Sequence, residues 1–148
     1  MGSPREFTVA VSDEAIADLR QRLAGTRWPE AETCTGWEQG VPLAYTRDLA
    51  EYWRCEYDWR RLEGELNARD QYLVDLEVDG KDHTIHFIHQ RSPHADARPL
   101  LLTHGWPGSV LEFFKVIDAL VDPVAHGGSA GDAFHLVIPS LPGYGFSS

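Results

Sequence analysis

The run from Leu100 to Ser109 constrains the fold more than any other stretch of this chain. It opens with three leucines, which is typical of a short strand buried on both faces. A polar His–Gly–Trp–Pro–Gly turn follows, and Ser109 with Glu112 forms the capping-box pattern that begins a helix, here expected to reach about Val121. Backbone N–H groups at such a turn stabilise negative charge. The run therefore predicts a strand–turn–helix unit that supports chemistry on an anion.

The first 70 residues have the 3.6-residue hydrophobic period of helices and contain no catalytic signature. Ser12 is placed to cap a first helix, which should end near Gly25. Pro42 fits the first turn of a second helix, and Asp58 fits the N-cap of a third. We expect residues 1–70 to form a helical N-terminal extension.

From about residue 71 the hydrophobic period changes to two, as in strands. Asp79-Gly80 is a hairpin signal between two such runs. Further strands are predicted in the regions 100–103 and 134–138, with the helix between them forming a parallel crossover. The fold class is α/β, with about four strands in residues 71–148.

Composition excludes several classes of function. The formal net charge is −10, from 13 basic and 23 acidic residues, which argues against nucleic acid and against an anionic membrane surface. Neither a signal peptide nor an apolar run long enough to span a bilayer is recognisable. Cys34 and Cys55 lack metal-site spacing, so we expect reduced, partly buried thiols and a cytoplasmic protein.

Two motifs in the second half resemble a known family: His104–Ser109 (HGWPGS) and Leu141–Ser147 (LPGYGFS). They resemble the epoxide hydrolase branch of the α/β-hydrolase superfamily. Upstream segments resemble the N-terminal extension of its microsomal-like members: Arg27–Pro29, Tyr57–Arg60, Leu66-Asn67 and Ile85–His89. The resemblance covers roughly residues 7 to 148.

The resemblance implies roles for individual residues of the turn. The backbone N–H of Trp106 would contribute to an oxyanion hole, Gly105 would permit the tight turn, and Pro107 would follow a cis peptide bond. His104 would support the turn by hydrogen bonding rather than act as a base. The residues expected to line the substrate pocket are Gly143, Tyr144 and Phe146.

The resemblance also implies a covalent mechanism on an epoxide, without metal or organic cofactor. Its nucleophilic Asp, two lid tyrosines and catalytic His would lie beyond Ser148, so the isolated chain is expected to be inactive. The missing strand would pair with 100–103, which predicts an open sheet edge there. The expected partners are a small epoxide and the C-terminal half of the fold, either continuous with this chain or a separate polypeptide. A homo-oligomer is compatible with the sequence.

Other interpretations stay open. The half-fold could be a non-catalytic interaction module that binds partners by strand addition, or the chemistry could be dehalogenation or ester cleavage. The dense aromatics of the extension could line a ligand pocket, although we favour their docking the helices onto the next domain: Trp28, Trp37, Tyr45, Tyr52, Trp53, Tyr57 and Trp59. His86 and His89 should point to opposite strand faces, which argues against a metal pair.

Overall fold

The computed structural model describes residues 2–148 and contains two compact units. One unit is Val9–Gly64, and the other combines the residues up to Thr8 with Glu65–Ser148. The sequence pattern had placed a boundary near residue 70. The structure instead divides the chain after Gly64 and adds the N-terminal residues to the sheet unit, because Arg5–Glu6 forms a short strand there.

The unit Val9–Gly64 is helical, as predicted. It contains α1 (Asp13–Ala24), α2 (Leu43–Cys55) and the first part of α3 (Trp59–Asn67). The two predicted side-chain caps are present: Ser12 Oγ accepts from the Ala15 N–H at 3.2 Å, and Asp58 Oδ1 accepts from the Arg60 N–H at 2.9 Å. Local capping chemistry therefore places the helix starts correctly.

An apolar groove of about 610 Å³ lies within this helical unit. Side chains of α1 line one part of it, including Ile16 and Leu19, and aromatic residues line the rest: Tyr52, Trp53, Tyr57 and Trp59. Tyr52 and Trp53 remain about half exposed, at 48% and 47%. Four of the seven aromatics of the extension thus line a groove, and the docking of the aromatics onto another domain stays a prediction.

Cys34 and Cys55 are both free thiols, as expected. The expectation of partial burial is wrong for Cys55, which is exposed because it lies one turn after Glu51 on the solvent side of α2. Its thiol donates to Glu51 Oε1 at 3.2 Å, and this hydrogen bond raises the pKa of Cys55.

The sheet of the second unit has five strands among the described residues. They are β1 (Arg5–Glu6), β2 (Gln71–Val78), β3 (Lys81–Gln90), β4 (Arg98–Leu101) and β5 (Phe134–Pro139). Their spatial order is β1-β2-β3-β5-β4. All neighbours are antiparallel except β4 and β5, which are parallel as predicted. Asp79 and Gly80, with φ of 51° and 71°, form the predicted hairpin turn.

Strand β4 differs from its prediction in length and burial. It ends at Leu101, although the Leu102 N–H still donates to the Val137 carbonyl at 3.0 Å. Leu101 is 62% exposed, so the expectation of a strand buried on both faces is wrong. Adjacent side chains of a strand point to opposite faces of the sheet, and here Leu100 is half-buried while Leu101 is exposed, so residues 2–148 cover only one face of β4. Among the same residues β4 pairs with β5 alone and lies at the sheet edge. The predicted open edge is therefore present.

The predicted helix after Ser109 is confirmed, with one refinement. Val110–Phe113 is a 3-10 turn, and α4 continues from Phe114 to Val121. Ser109 Oγ accepts from the Leu111 N–H at 3.3 Å, and the Ser109 N–H donates to Glu112 Oε1 at 3.2 Å. Helix α4 packs on β5, and the core there is fully buried at Ile117, Leu136 and Ile138.

Replacing Leu136 with Ala should lower the free energy of unfolding of the sheet unit by about 2–5 kcal/mol, since it leaves a cavity in a closed core. The matched control is Leu101→Ala on the neighbouring strand, which should change it by less than about 0.5 kcal/mol because that side chain is exposed. Urea denaturation followed by circular dichroism measures both, and equal losses would contradict this assignment of the core.

Candidate functional site

The candidate site is the turn that follows β4. The Trp106–Pro107 peptide bond is cis, as expected, and the Trp106 side chain is 84% exposed. Within residues 2–148, the Trp106 N–H donates to no protein acceptor. The turn therefore presents one unused backbone donor next to solvent.

The buried His104 side chain fixes the orientation of this turn by two hydrogen bonds. The side chain is only 4% exposed, and its Nε2 accepts from the Leu141 N–H at 3.1 Å. Since Nε2 is an acceptor, the proton of the neutral ring is on Nδ1, which donates to the Gly105 carbonyl at 3.0 Å. That carbonyl belongs to the same planar peptide unit as the Trp106 N–H. A hydrogen bond on one side of the unit thus sets the direction of the donor on the other side.

The loop from Ser140 to Ser147 lies against His104. The Tyr144 N–H donates to the Leu141 carbonyl at 2.9 Å, and the Ser147 N–H donates to the Tyr144 carbonyl at 3.0 Å, so the loop is a pair of consecutive turns. The positive φ of Gly143, 79°, suits glycine in the first turn. The Tyr144 ring meets the His104 ring edge-on with 5.2 Å between centroids.

An open groove of about 650 Å³ borders the turn. Its lining residues are Pro107, Gly108, Ser109, Leu111, Glu112 and Tyr144. Glu112 is the single carboxylate among them, and it is engaged with the Ser109 N–H. Of the predicted pocket residues, the structure brings Tyr144 to this groove. Phe146 packs instead on Phe7 and His86, and Gly143 is not part of the lining.

Gly108 is a site residue that the sequence argument missed. A Cβ at this position would lie 1.7 Å from Glu112 Oε1 and 2.9 Å from the Gly105 carbonyl oxygen. Only glycine therefore allows the capping box and the turn to approach each other. The available signal was the second glycine of the Gly–Trp–Pro–Gly sequence.

His86 is a second such residue, because the sequence analysis considered it only as a metal ligand and argued against that role. It is fully buried, with Nδ1 2.9 Å from Ser140 Oγ and Nε2 3.0 Å from Gln71 Oε1. The Gln71 amide nitrogen donates to the Leu66 carbonyl at 2.9 Å, which turns the amide oxygen toward His86. Nε2 therefore donates and Nδ1 accepts. Burial lowers the pKa of His86 from 6.5 to about 4.

The remaining candidates for chemistry are occupied elsewhere. His89 packs near Tyr72, with 6.2 Å between ring centroids, on the strand face opposite to His86. Asp75 pairs with Arg5 at 2.6 Å, and that hydrogen bond lowers the pKa of Asp75.

Across the described part of the chain, no three His, Cys, Asp or Glu side chains lie close enough together to form a metal site. In the same residues, no helix is both long and apolar enough to cross a membrane.

Substituting Gly108 by Ala should displace Glu112 from its cap and lower the free energy of unfolding by about 0.5–2 kcal/mol. Gly64→Ala is the control, because nothing lies within 4 Å of its added Cβ and a helical alanine should stabilise by up to about 1 kcal/mol. Thermal denaturation measures the melting temperatures of both variants. If both substitutions raised the melting temperature, the crowding at Gly108 would be unimportant.

The free energy of unfolding should fall as the pH is lowered from about 6.5 to 4. In this range His86 binds a proton in the unfolded chain but stays neutral where it is buried in the folded protein. The loss of stability caused by this single group reaches about 3 kcal/mol at low pH. There is no such loss above pH 6.5. Urea titrations at several pH values give the free energy of unfolding of the protein and of His86→Asn. The difference between these two free energies should change with pH, and that change isolates the contribution of His86. An equal fall in both proteins would show that His86 does not cause it.

Comparisons with known proteins show the family to which this chain is similar. A family model described as "Epoxide hydrolase N terminus" matches residues 4–113. A putative epoxide hydrolase of Stigmatella aurantiaca is 57% identical over 95% of this chain, and epoxide hydrolase 1 of Oryctolagus cuniculus is 40% identical over 98%. The chain spans about a third of the length of these relatives, 31% and 32%.

Solved structures give the same result. The Aspergillus niger epoxide hydrolase matches 99% of this chain with a TM-score of 0.79 and 35% identity, and the chain covers 37% of it. Juvenile hormone epoxide hydrolase from the silkworm Bombyx mori matches 100% with a TM-score of 0.82 and 28% identity, and 34% of it is covered. On the family match over most of its length, this chain belongs to the epoxide hydrolase N-terminus family and has the corresponding part of an α/β-hydrolase fold.

Proposed function

We propose that these residues are the N-terminal part of an epoxide hydrolase, in which the Trp106 N–H helps to bind an oxyanion. The observation that carries the proposal is the unused Trp106 donor in a peptide unit whose carbonyl is bound by His104. Membership of the family supplies the reaction class, the hydrolysis of an epoxide to a vicinal diol.

The proposed reaction has two steps. An Asp carboxylate attacks an epoxide carbon and the C–O bond breaks, while two tyrosine hydroxyls hydrogen-bond the leaving oxygen and one of them transfers its proton to it, which gives a hydroxyalkyl ester. A His, oriented by an acidic residue, then takes a proton from water, which adds to the ester carbonyl and forms a tetrahedral oxyanion. The Trp106 N–H donates to that oxyanion. Its collapse breaks the ester C–O bond, the protonated His gives its proton to the leaving alkoxide, which becomes the diol, and the carboxylic acid returns a proton to the tyrosinate.

In this proposal the chain contributes the turn and part of the pocket wall. Gly105 and Pro107 shape the turn, His104 positions it, and Tyr144 forms a wall of the adjoining groove. A lining role for Gly143 and Phe146 stays a prediction, as does a cytoplasmic location. The chemistry requires no metal or organic cofactor from this chain.

The nucleophile, proton donors and base are proposed to come from polypeptide outside these 148 residues. The open edge of β4, with Leu101 62% exposed, is where the rest of the fold would add a strand. The isolated chain should therefore show no epoxide hydrolysis, whereas the full-length polypeptide should convert part of a broad epoxide panel to diols, measured by chromatography. Turnover by the isolated chain would contradict this division of roles.

The same edge favours a second candidate, an interaction module that binds a protein partner by strand addition. Epoxide, haloalkane and ester substrates offered to the full-length polypeptide separate the alternatives. Diol formation supports the proposed function, while dehalogenation or ester cleavage assigns another hydrolase chemistry. A folded chain without turnover that binds one defined protein at β4 supports the module.

Replacing the Gly105–Trp106 amide by an ester removes the proposed donor and leaves every side chain in place. In the full-length enzyme, hydrolysis of the alkyl ester should slow by about 10²–10³-fold while its formation is less affected. Single-turnover mass spectrometry follows the covalent ester. The control is an ester at Ala95, an exposed loop residue whose N–H is also unused by the described residues. Equal rates in both semisynthetic proteins would exclude Trp106 from the oxyanion hole.

A further inference from the structure

The loop Ser140–Ser147 contacts two histidines from different parts of the sheet. His104, from the turn after β4, contacts the middle of the loop through Leu141 and Tyr144. His86, from the centre of β3, contacts both of its ends. The loop thus connects the candidate site with a buried polar network that the proposed reaction does not use.

His86 binds the start of the loop through its side chain. Ser140 is 2% exposed, and its hydroxyl donates to His86 Nδ1 at 2.9 Å. The Gln71 amide accepts from Nε2 and so fixes the ring in the tautomer that leaves Nδ1 free to accept. The Ser140 N–H also donates to the His86 carbonyl at 2.9 Å.

The end of the loop, Ser147, also binds His86. The Ser147 hydroxyl accepts from the His86 N–H at 2.9 Å and donates to the Ser140 carbonyl at 2.8 Å, which closes a ring of hydrogen bonds. Phe146 covers the imidazole edge-on with 5.2 Å between centroids. A Cβ on Gly145 would lie 3.1 Å from Ser140 Oγ, so the loop has little room to shift over this network.

We propose that His86 is a positioning residue for the oxyanion turn, acting through Ser140 and the loop to fix the ring of His104 and hence the Trp106 N–H. The path is short, because Leu141, which donates to His104, is the residue directly after Ser140. A displacement of the loop start therefore moves the donor that sets the His104 tautomer. The catalytic part of this inference rests on the proposed function, and the structural part does not.

The first test needs no activity. In ¹H–¹⁵N NMR spectra of the 148-residue chain at pH 7, Ser140→Ala and His86→Phe should both shift the Leu141 and Trp106 amides and the His104 ring nitrogens. His89→Phe is the matched control, because it makes the same change on the same strand but on the opposite face. The structural coupling is overturned if the Trp106 amide and the His104 ring nitrogens move no more in His86→Phe than in His89→Phe and do not move in Ser140→Ala. Ser140→Ala removes a single hydroxyl and therefore carries the test if His86→Phe does not fold.

The second test uses single turnovers of the full-length enzyme. Hydrolysis of the alkyl ester should slow on the order of 10- to 100-fold in Ser140→Ala and His86→Phe, while ester formation changes little, since misplacement affects only the step that uses the oxyanion. The double variant should lose no more than the worse single variant, because both act through one hydrogen bond. His86→Asn, whose amide oxygen can accept from Ser140, should recover most of the rate.

The two tests separate the possible failures. An active enzyme in which Ser140→Ala hydrolyses its ester at the normal rate overturns the positioning role. A parent protein that converts no epoxide, while the NMR coupling persists, overturns the proposed function but leaves the link between His86 and the turn in place.

Discussion

The candidate site depends on the protonation pattern of one buried ring. The Nε2 atom of His104 accepts a hydrogen bond from the Leu141 N–H, so the ring's own proton must be on Nδ1. Nδ1 donates this proton in a hydrogen bond to the Gly105 carbonyl. Because a peptide unit is planar, that bond also sets the direction of the Trp106 N–H. A doubly protonated ring could not accept from Leu141. The direction of a backbone donor is therefore controlled by a side chain two residues before it.

The stability of the sheet and the geometry of the site are consequently linked. Ser140 directly follows β5, whose Leu136 and Ile138 are among the fully buried side chains of the core. Pairing of β5 with β3 places Ser140 beside His86. Packing of α4 on the same strand sets where the capped 3-10 turn before this helix meets Gly108. The core thus determines the positions of both sides of the groove.

Local signals in the sequence predicted local structure well. The caps at Ser12 and Ser109 and the hairpin at Asp79-Gly80 are all present, because each depends on groups within a few residues of one another. Strand β1 was not predicted, since two residues carry no period. The burial of β4 was predicted wrongly, because three leucines show apolar character but not whether other elements cover both sheet faces at that strand.

The sequence by itself determined the α/β class, the order of its main elements and the turn at His104–Pro107, since periodicity and capping act over short distances along the chain. Only the tertiary structure decided which polar groups meet. His86 is 15 residues from Gln71 and 54 from Ser140, and His104 is 37 from Leu141. Pairing of β2 with β3 brings Gln71 to His86. The contacts of Ser140 and Leu141 exist because β5 inserts between β3 and β4, an arrangement that depends on the packing of the whole sheet.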